Sequence, residues 1–529
     1  MKLRDISSPG FDKSQWEEKG YVLPRFDIAA VKEKTYAAPT WVHFGAGNIF
    51  RAFPAACLQT ALEQGLTDRG VVVAETFDYE IIDRACRPFD NASLLVVLKA
   101  DGTVEKRVLS SITESLKADA QFESDWARLE EIFQNPSLQM ASFTITEKGY
   151  GAPEADIARG LTPQTAMGKV ALLLLARFMA GGHPITLQSM DNCAHNGDVL
   201  RAAVVAYVQS WVDKSLVPAE FLAYVLDETK VSYPWSMIDK ITPRPDAQVQ
   251  EMLQADGFED GEIIVTQKGS YTAAFINAEE TEYLVLEDQY VAGHPPIDAG
   301  GVIFASRETV DKVEKMKVCT CLNPLHTALA IFGCLLGYDR ISQQMKDEDL
   351  VGLITKMGYM EAMPVVVDPG VIEPGDFIDA VINKRLPNPF MPDAPQRIAT
   401  DTSQKLSIRF GETIKAYTAQ GLDLADLQLI CLTLAAYARY LKGIGDDGEP
   451  FVLSPDPKLE ELCAIVAPLE VKEGAQDMSC LKALYSRADV FGLDLYQAGL
   501  GERIEAFAAQ LFAGPGAVRR TLHEHVSKR

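Results

Sequence analysis

Positive charge is scarce in this 529-residue chain: 50 lysines and arginines stand against 74 acidic residues, a formal net charge of −24. Nucleic acid and anionic membrane surfaces both demand a positive face, so the balance excludes them as partners and favours a small-molecule substrate. A paired-cysteine framework is missing too. The nine cysteines (Cys57, Cys86, Cys193, Cys319, Cys321, Cys334, Cys431, Cys463 and Cys480) are odd in number, scattered and mostly set in apolar runs. That is the pattern of reduced core thiols in a cytoplasmic protein. No basic-then-apolar leader opens the sequence, and no apolar run reads as the roughly 20 residues of a membrane span, so a soluble, non-exported chain is expected. Internal repeats and low-complexity tracts are absent. At this length one hydrophobic core is not enough, and two domains, or three, are expected.

Residues 1–38 carry mixed charge with little periodicity and read as an extension lying over the first domain. From Thr40 the patterning sharpens. "TWVHFGAGNIFRAFPAACLQTAL" is a β-prone run, then glycines, then apolar residues at helical spacing, and "GVVVAETF" follows as a second strand. "SLLVVLKADGTVEKRVLSSI" predicts a hairpin around Asp101-Gly102. Further strands in "LQMASFTITEKGY" and "PITLQSMDN" flank the helix "TAMGKVALLLLARFMAGG", which implies a parallel, doubly wound sheet. Beyond the Pro/Gly-rich "VAGHPPIDAGG" strand signals nearly vanish and helical spacing takes over. The expected architecture is therefore an α/β Rossmann-type domain over residues 39–305 and a mainly α-helical domain over 306–529.

"HFGAGNIFR" stands where a dinucleotide loop belongs, between strand and helix, with Gly45 and Gly47 letting the backbone turn and approach a pyrophosphate. Phe50 occupies the place of the third glycine. A glycine pair alone also suits a bare strand-to-helix turn. Glu75, ending the next strand, is placed to accept hydrogen bonds from the adenosine ribose and to repel a 2′-phosphate, which favours NAD over NADP. Asp78 competes for that role, and a solvated strand-end carboxylate would explain either.

The loop resembles that of the mannitol dehydrogenase family, the polyol-specific long-chain dehydrogenases. "TITEKGY", "SMDNCAHNGD", "YPWSMIDKITP", "LEDQYVAGHPP", "LNPLHTALA" and "RIATDTSQKL" each resemble a family block, in the family's order, from about residue 40 to 410. The resemblance implies a Rossmann-type domain, a helical domain, NAD(P), no metal, and interconversion of a secondary alcohol with a ketose or keto-acid. It implies that Gly45, Gly47, Asn48, Ile49, Phe50 and Arg51, with Glu75, Thr146 and Glu147, serve the cofactor. Lys317 would be the general acid/base, Asn192 and Asn323 would hold the reacting oxygen, and His326 would orient the substrate. Asp239 would contact substrate or the lysine, and Arg397 and Lys405 would grip the distal end. Bottom-up chemistry agrees, since hydride transfer from an alcohol needs a base and donors for the oxyanion while the nicotinamide does the harder step. Asp239 and Arg397 could instead form a structural pair, and His195 suits a strand-to-helix turn. Cys319, Cys321 and His326 do not read as a zinc site, because Cys-x-Cys splits its thiols around a helix and no fourth ligand follows.

One spacing departs from the family. Its pattern is K-x4-N-x2-H, whereas Lys317 lies six residues before Asn323. On a straight helix one extra residue turns a side chain by about 100°. A one-residue π-bulge near Pro324 would restore the register. The substrate expected from the cations Arg397 and Lys405, with Arg385 nearby, is a sugar acid, D-mannonate or D-fructuronate. Mannitol, another polyol, or altronate/tagaturonate stay open, because mannitol-oxidising relatives carry cations there as well. The reading from another class is an inactive sensor of NAD or sugar acid, motivated by the displaced lysine. A monomer or small homo-oligomer is expected.

Overall fold

The computed structural model describes residues 1–8 and 10–527. The chain forms two compact units, one of Met1–Lys99 with Thr103–Asp311, the other of Ala100–Gly102 with the chain from Lys312 onward.

The first unit is built on a six-stranded sheet. Its strands are β1 (Trp41–Phe44), β2 (Val71–Glu75), β3 (Ile112–Lys117), β4 (Met140–Phe143), β5 (Ile185–Ser189) and β6 (Val231–Ser232). Their spatial order is β3-β2-β1-β4-β5-β6 and every pairing is parallel. That is the strand order of a dinucleotide-binding sheet, whose order reverses between β1 and β4. Successive residues alternate between two cores. Trp41, Val71, Val73 and Met140 enter one, while Val42, Phe44, Val72, Ala74, Ala141 and Phe143 enter the other, so the sheet is buried on both faces. Helix Ala166–Met179 covers the second face, and its N-cap Thr165 accepts from the Gly168 amide.

The hairpin at Asp101-Gly102 forms as expected, pairing Ser93–Leu98 antiparallel with Val104–Leu109. The N-terminal segment is more than a covering layer. Tyr21–Val22 adds a parallel strand to Val104–Leu109, and Trp16, only 2% exposed, packs its ring against Tyr21 and Phe258. Its strand is two residues long and its ten-residue helix Ile28–Ala37 buries only Val31 and Thr35, so periodicity does not reveal them.

The second unit is helical. Asn323–Leu335 and Gln428–Tyr440 are buried on nearly every face. The sealed carboxylate of Glu361 accepts the amides of Gln428, Leu429 and Ile430 at 3.1, 2.8 and 2.8 Å, satisfying the start of the second helix. One helical stretch, Arg307–Leu335, is long and apolar enough to cross a membrane (mean hydropathy 1.5), which the run lengths did not suggest. Because 78% of its apolar window is buried inside the protein, it is packed as a core helix.

Candidate active site

The glycine loop leaves β1 and is fixed from beneath. Gly45 takes φ +110° and donates to the Ala74 carbonyl at 2.8 Å. A Cβ there would lie 2.3 Å from the Thr144 carbonyl oxygen, so only glycine lets β1 and β4 end side by side. Gly47 is the reverse case, since a Cβ on it would meet nothing within 4 Å. The space above Gly47 is therefore open, as close approach of a pyrophosphate to the backbone requires. Gly47, Asn48 and Ile49 are partly exposed and form the loop's accessible surface.

Phe50 and Arg51 must be reassigned. Phe50 is sealed in the core, stacked on His43 with ring centroids 3.6 Å apart and edge-on to Trp41. Arg51 is 1% exposed and donates to the Ala273 carbonyl, Asn48 Oδ1 and Thr272 Oγ1 at 2.9, 2.9 and 3.0 Å. It ties the loop down from below and cannot touch a cofactor directly. Glu75 is corrected in the same sense. Its Oε2 accepts from the Ala46 amide of the loop at 2.9 Å, and its Oε1 from Phe77 and Asp78 at 2.9 and 3.2 Å. Burial raises its pKa against the pull of those three amides. Glu75 thus acts on a cofactor through the loop. Asp78, also buried, accepts from Thr266 Oγ1 at 2.5 Å. We expect Glu75→Gln, which turns an NH2 toward backbone donors, to raise KM for NAD and NADP together by about tenfold. A direct ribose contact would instead change the NAD/NADP ratio alone, and kcat/KM for each cofactor separates the two.

Beyond β4 and β5 a half-buried carboxylate organises two loops. Asp191 accepts from the amides of Ile145 and Thr146, both at 2.9 Å, and from Tyr150 Oη at 2.7 Å. Thr146 is held at φ +63°, a costly conformation for a β-branched residue. Asn196 closes the other side, donating to the Asp191 carbonyl at 2.9 Å and to Ser236 Oγ at 2.8 Å. Exposed Asn192 thus sits between two anchored neighbours, with Glu147 exposed on the facing segment. His195 takes a left-handed turn position and stacks on Trp235 at 4.0 Å, in keeping with a turn role. Asp239 is buried at the end of strand Ser236–Asp239. Asp191 escaped the sequence reading although it adjoins Asn192.

In the second unit a π-helical turn covers Met316–Cys321, closed by the Leu322 amide on the Lys317 carbonyl at 3.1 Å. Pro324 then enters the first turn of helix Asn323–Leu335, where its missing N–H costs nothing. The extra residue is absorbed in the wide turn. Lys317 is buried at 4% exposure while Lys315 faces solvent. His326 Nε2 is buried without a hydrogen-bond partner, 3.7 Å from Asp393 Oδ2. An orphaned ring nitrogen of this kind calls for a missing partner. Asp393 also pairs with Arg397. Burial chiefly holds the imidazole below its ordinary 6.5, to about 4, with Asp393 opposing and Arg409, Arg397 and Arg385 assisting. The unfolded chain therefore takes a proton that the folded one refuses. Stability against urea should fall as pH drops from about 6.5 toward about 4, and His326→Gln should flatten that limb.

The cations gather around this histidine. Arg385 is buried at the end of a π-turn Val381–Arg385, and Lys405 donates to the Thr400 carbonyl, its pKa lowered by burial and then by Arg409. Arg409, absent from the sequence reading, lies in a further π-turn, Ser407–Gly411, and donates to Thr327 Oγ1.

Comparison with known proteins gives the family. Residues 39–299 match the family model for the mannitol dehydrogenase Rossmann domain and residues 309–511 that for the mannitol dehydrogenase C-terminal domain. The chain belongs to the mannitol dehydrogenase family. It is 49% identical over 531 residues to a D-mannonate oxidoreductase of Thermotoga maritima, covering 98% of each chain. It is 30% identical to a polyol:NADP oxidoreductase of Gluconobacter oxydans, covering 80% of this chain and 83% of that one. Its fold is that of a substrate-free D-sorbitol dehydrogenase crystal structure, with a TM-score of 0.76 at 24% identity over 94% of this chain and 97% of the other.

Proposed function

We propose that the protein is an NAD-dependent oxidoreductase interconverting D-mannonate and D-fructuronate without a metal. The observation that carries the reading is the 49% identity to a D-mannonate oxidoreductase along 98% of both chains. The cations Arg385, Arg397, Lys405 and Arg409 around His326 support an acidic substrate over a neutral polyol. The open approach to Gly47 and the strand order support a dinucleotide.

NAD, when bound, supplies or accepts the hydride. In this reading Gly45, Gly47, Asn48 and Ile49 receive it, with Thr146 and Glu147 beside them. Lys317 takes the hydroxyl proton on oxidation and returns it on reduction. Asn192 and Asn323 donate to the reacting oxygen, stabilising the charge that develops there. The imidazole of His326, kept neutral by burial, orients a substrate hydroxyl, which would satisfy its orphaned Nε2. Asp239 contacts substrate or Lys317. The π-turn over Met316–Cys321 takes up one extra residue, which supports an enzyme over an inactive sensor. All nine cysteines are unpaired, which supports a cytoplasmic setting within the same proposal.

The deciding experiment follows NADH oxidation over a panel of D-fructuronate, D-tagaturonate and D-fructose. The highest kcat/KM should fall on D-fructuronate. Tight NADH binding with no turnover of any member would leave the sensor reading in its place, and a preference for fructose would make the protein a mannitol 2-dehydrogenase.

A further inference from the structure

Arginines that brace this fold put most of their donors on backbone carbonyls. Arg177 gives five hydrogen bonds to the carbonyls of Phe133, Asn135, Leu138, His183 and Pro184. Arg439 donates to Ile444 and Gly445 in the same way. Arg409 differs. Burial pushes its guanidinium down to about 10, still charged at neutral pH, yet its one hydrogen bond among the described residues is to Thr327 Oγ1, and no carboxylate pairs with it. Arg409 is half-buried and its remaining donors face solvent, so an anion arriving from solvent can complete the fork.

Its surroundings tie it to the residues proposed to hold substrate. Thr327 follows His326 directly, and its hydroxyl donates to the Asn323 carbonyl at 2.8 Å, so Arg409 is tied to the two residues proposed to hold substrate. The turn carrying Arg409 is fixed by Gly411, where a Cβ would lie 2.2 Å from the Phe491 carbonyl oxygen. Arg397 and Lys405 add like charge nearby, Arg397 answered by Asp393 and Lys405 in part by Asp401 and Asp456. Convergent positive charges repel one another until an anion enters. The planar fork of arginine suits a carboxylate better than a hydroxyl.

We infer that Arg409 binds the carboxylate of a sugar-acid substrate and so sets the preference for aldonates over neutral polyols. The inference deepens the functional reading above and rests on it. Arg409→Met should raise KM for D-fructuronate by about 30-fold or more, and at least tenfold more than KM for D-fructose, with Arg409→Lys recovering part of the loss. Equal rises for both substrates would overturn it and make Arg409 a brace for the Asn323 helix. A second measurement needs neither a variant nor turnover. Phenylglyoxal modification of Arg409 in the wild-type protein, located by peptide mapping, should be slowed by D-gluconate and not by D-sorbitol. Lack of protection by gluconate would overturn the inference even where the variants do not fold. If the wild type reduces fructose and not fructuronate, the functional reading fails on its own, while gluconate protection still decides the role of Arg409.

Discussion

Lys317→Ala should lower kcat by at least about 10²-fold in both directions of the reaction, with NADH affinity close to that of the wild type. The loss follows from the proposed role, since without a metal some side chain must carry the hydroxyl proton. The affinity should survive because the loop residues that receive the cofactor, Gly45 to Ile49, are braced by Glu75 and Arg51. Lys317→Arg should not restore turnover, because a guanidinium keeps its proton throughout the working range. The π-turn gives the test its force: it buries Lys317 while leaving Lys315 in solvent, so Lys315→Ala should be silent. A near-wild-type kcat for Lys317→Ala would remove the assignment and leave a water held by Asp239 as the proton carrier.

That turn also marks how far the sequence could be read. One surplus residue between Lys317 and Asn323, followed by Pro324, is a one-dimensional signal, and the structure contains the wide turn it calls for. Alternating apolar residues and the glycine pair were equally visible, because a sheet buried on both faces and a sharp backbone turn each demand particular side chains at particular places. What stayed hidden depends on direction. Glu75 and Arg51 stand in the right segment, but whether a side chain at the end of a strand or in a loop points up at a ligand or down at the fold is set by distant partners, Ala46 for one and Ala273 for the other. Asp393 and Arg409 lie 67 and 83 residues after His326, in segments with no spacing rule linking them to it. Arg409 stands out by having no carboxylate partner among the described residues, and that becomes visible once three dimensions are known.

Gly45→Ala should abolish measurable NADH binding and destabilise the fold by roughly 3 kcal/mol, a typical cost for strain at a special backbone conformation plus a steric clash. At φ +110° an L-residue is strained before any neighbour is considered. The added Cβ would then stand 2.3 Å from the Thr144 carbonyl oxygen and 3.0 Å from its carbon, closer than such atoms approach. Relief requires β1 and β4 to part at the point where the strand order reverses. The Gly45 amide would then leave the Ala74 carbonyl, and with it would go the Ala46 amide that Glu75 holds. Gly47→Ala provides the contrast. Its φ is −73° and a Cβ there meets nothing within 4 Å, so the melting temperature of the free protein should not move. The same methyl stands where the pyrophosphate is proposed to approach, so NADH affinity should fall by about tenfold or more. Fluorescence titration with NADH and thermal melts on the two variants separate the outcomes. A Gly45→Ala protein with wild-type melting and wild-type affinity would show that the loop is not built around this contact. Loss of melting temperature in Gly47→Ala would show that the space above it already serves the fold and is not kept open for the dinucleotide.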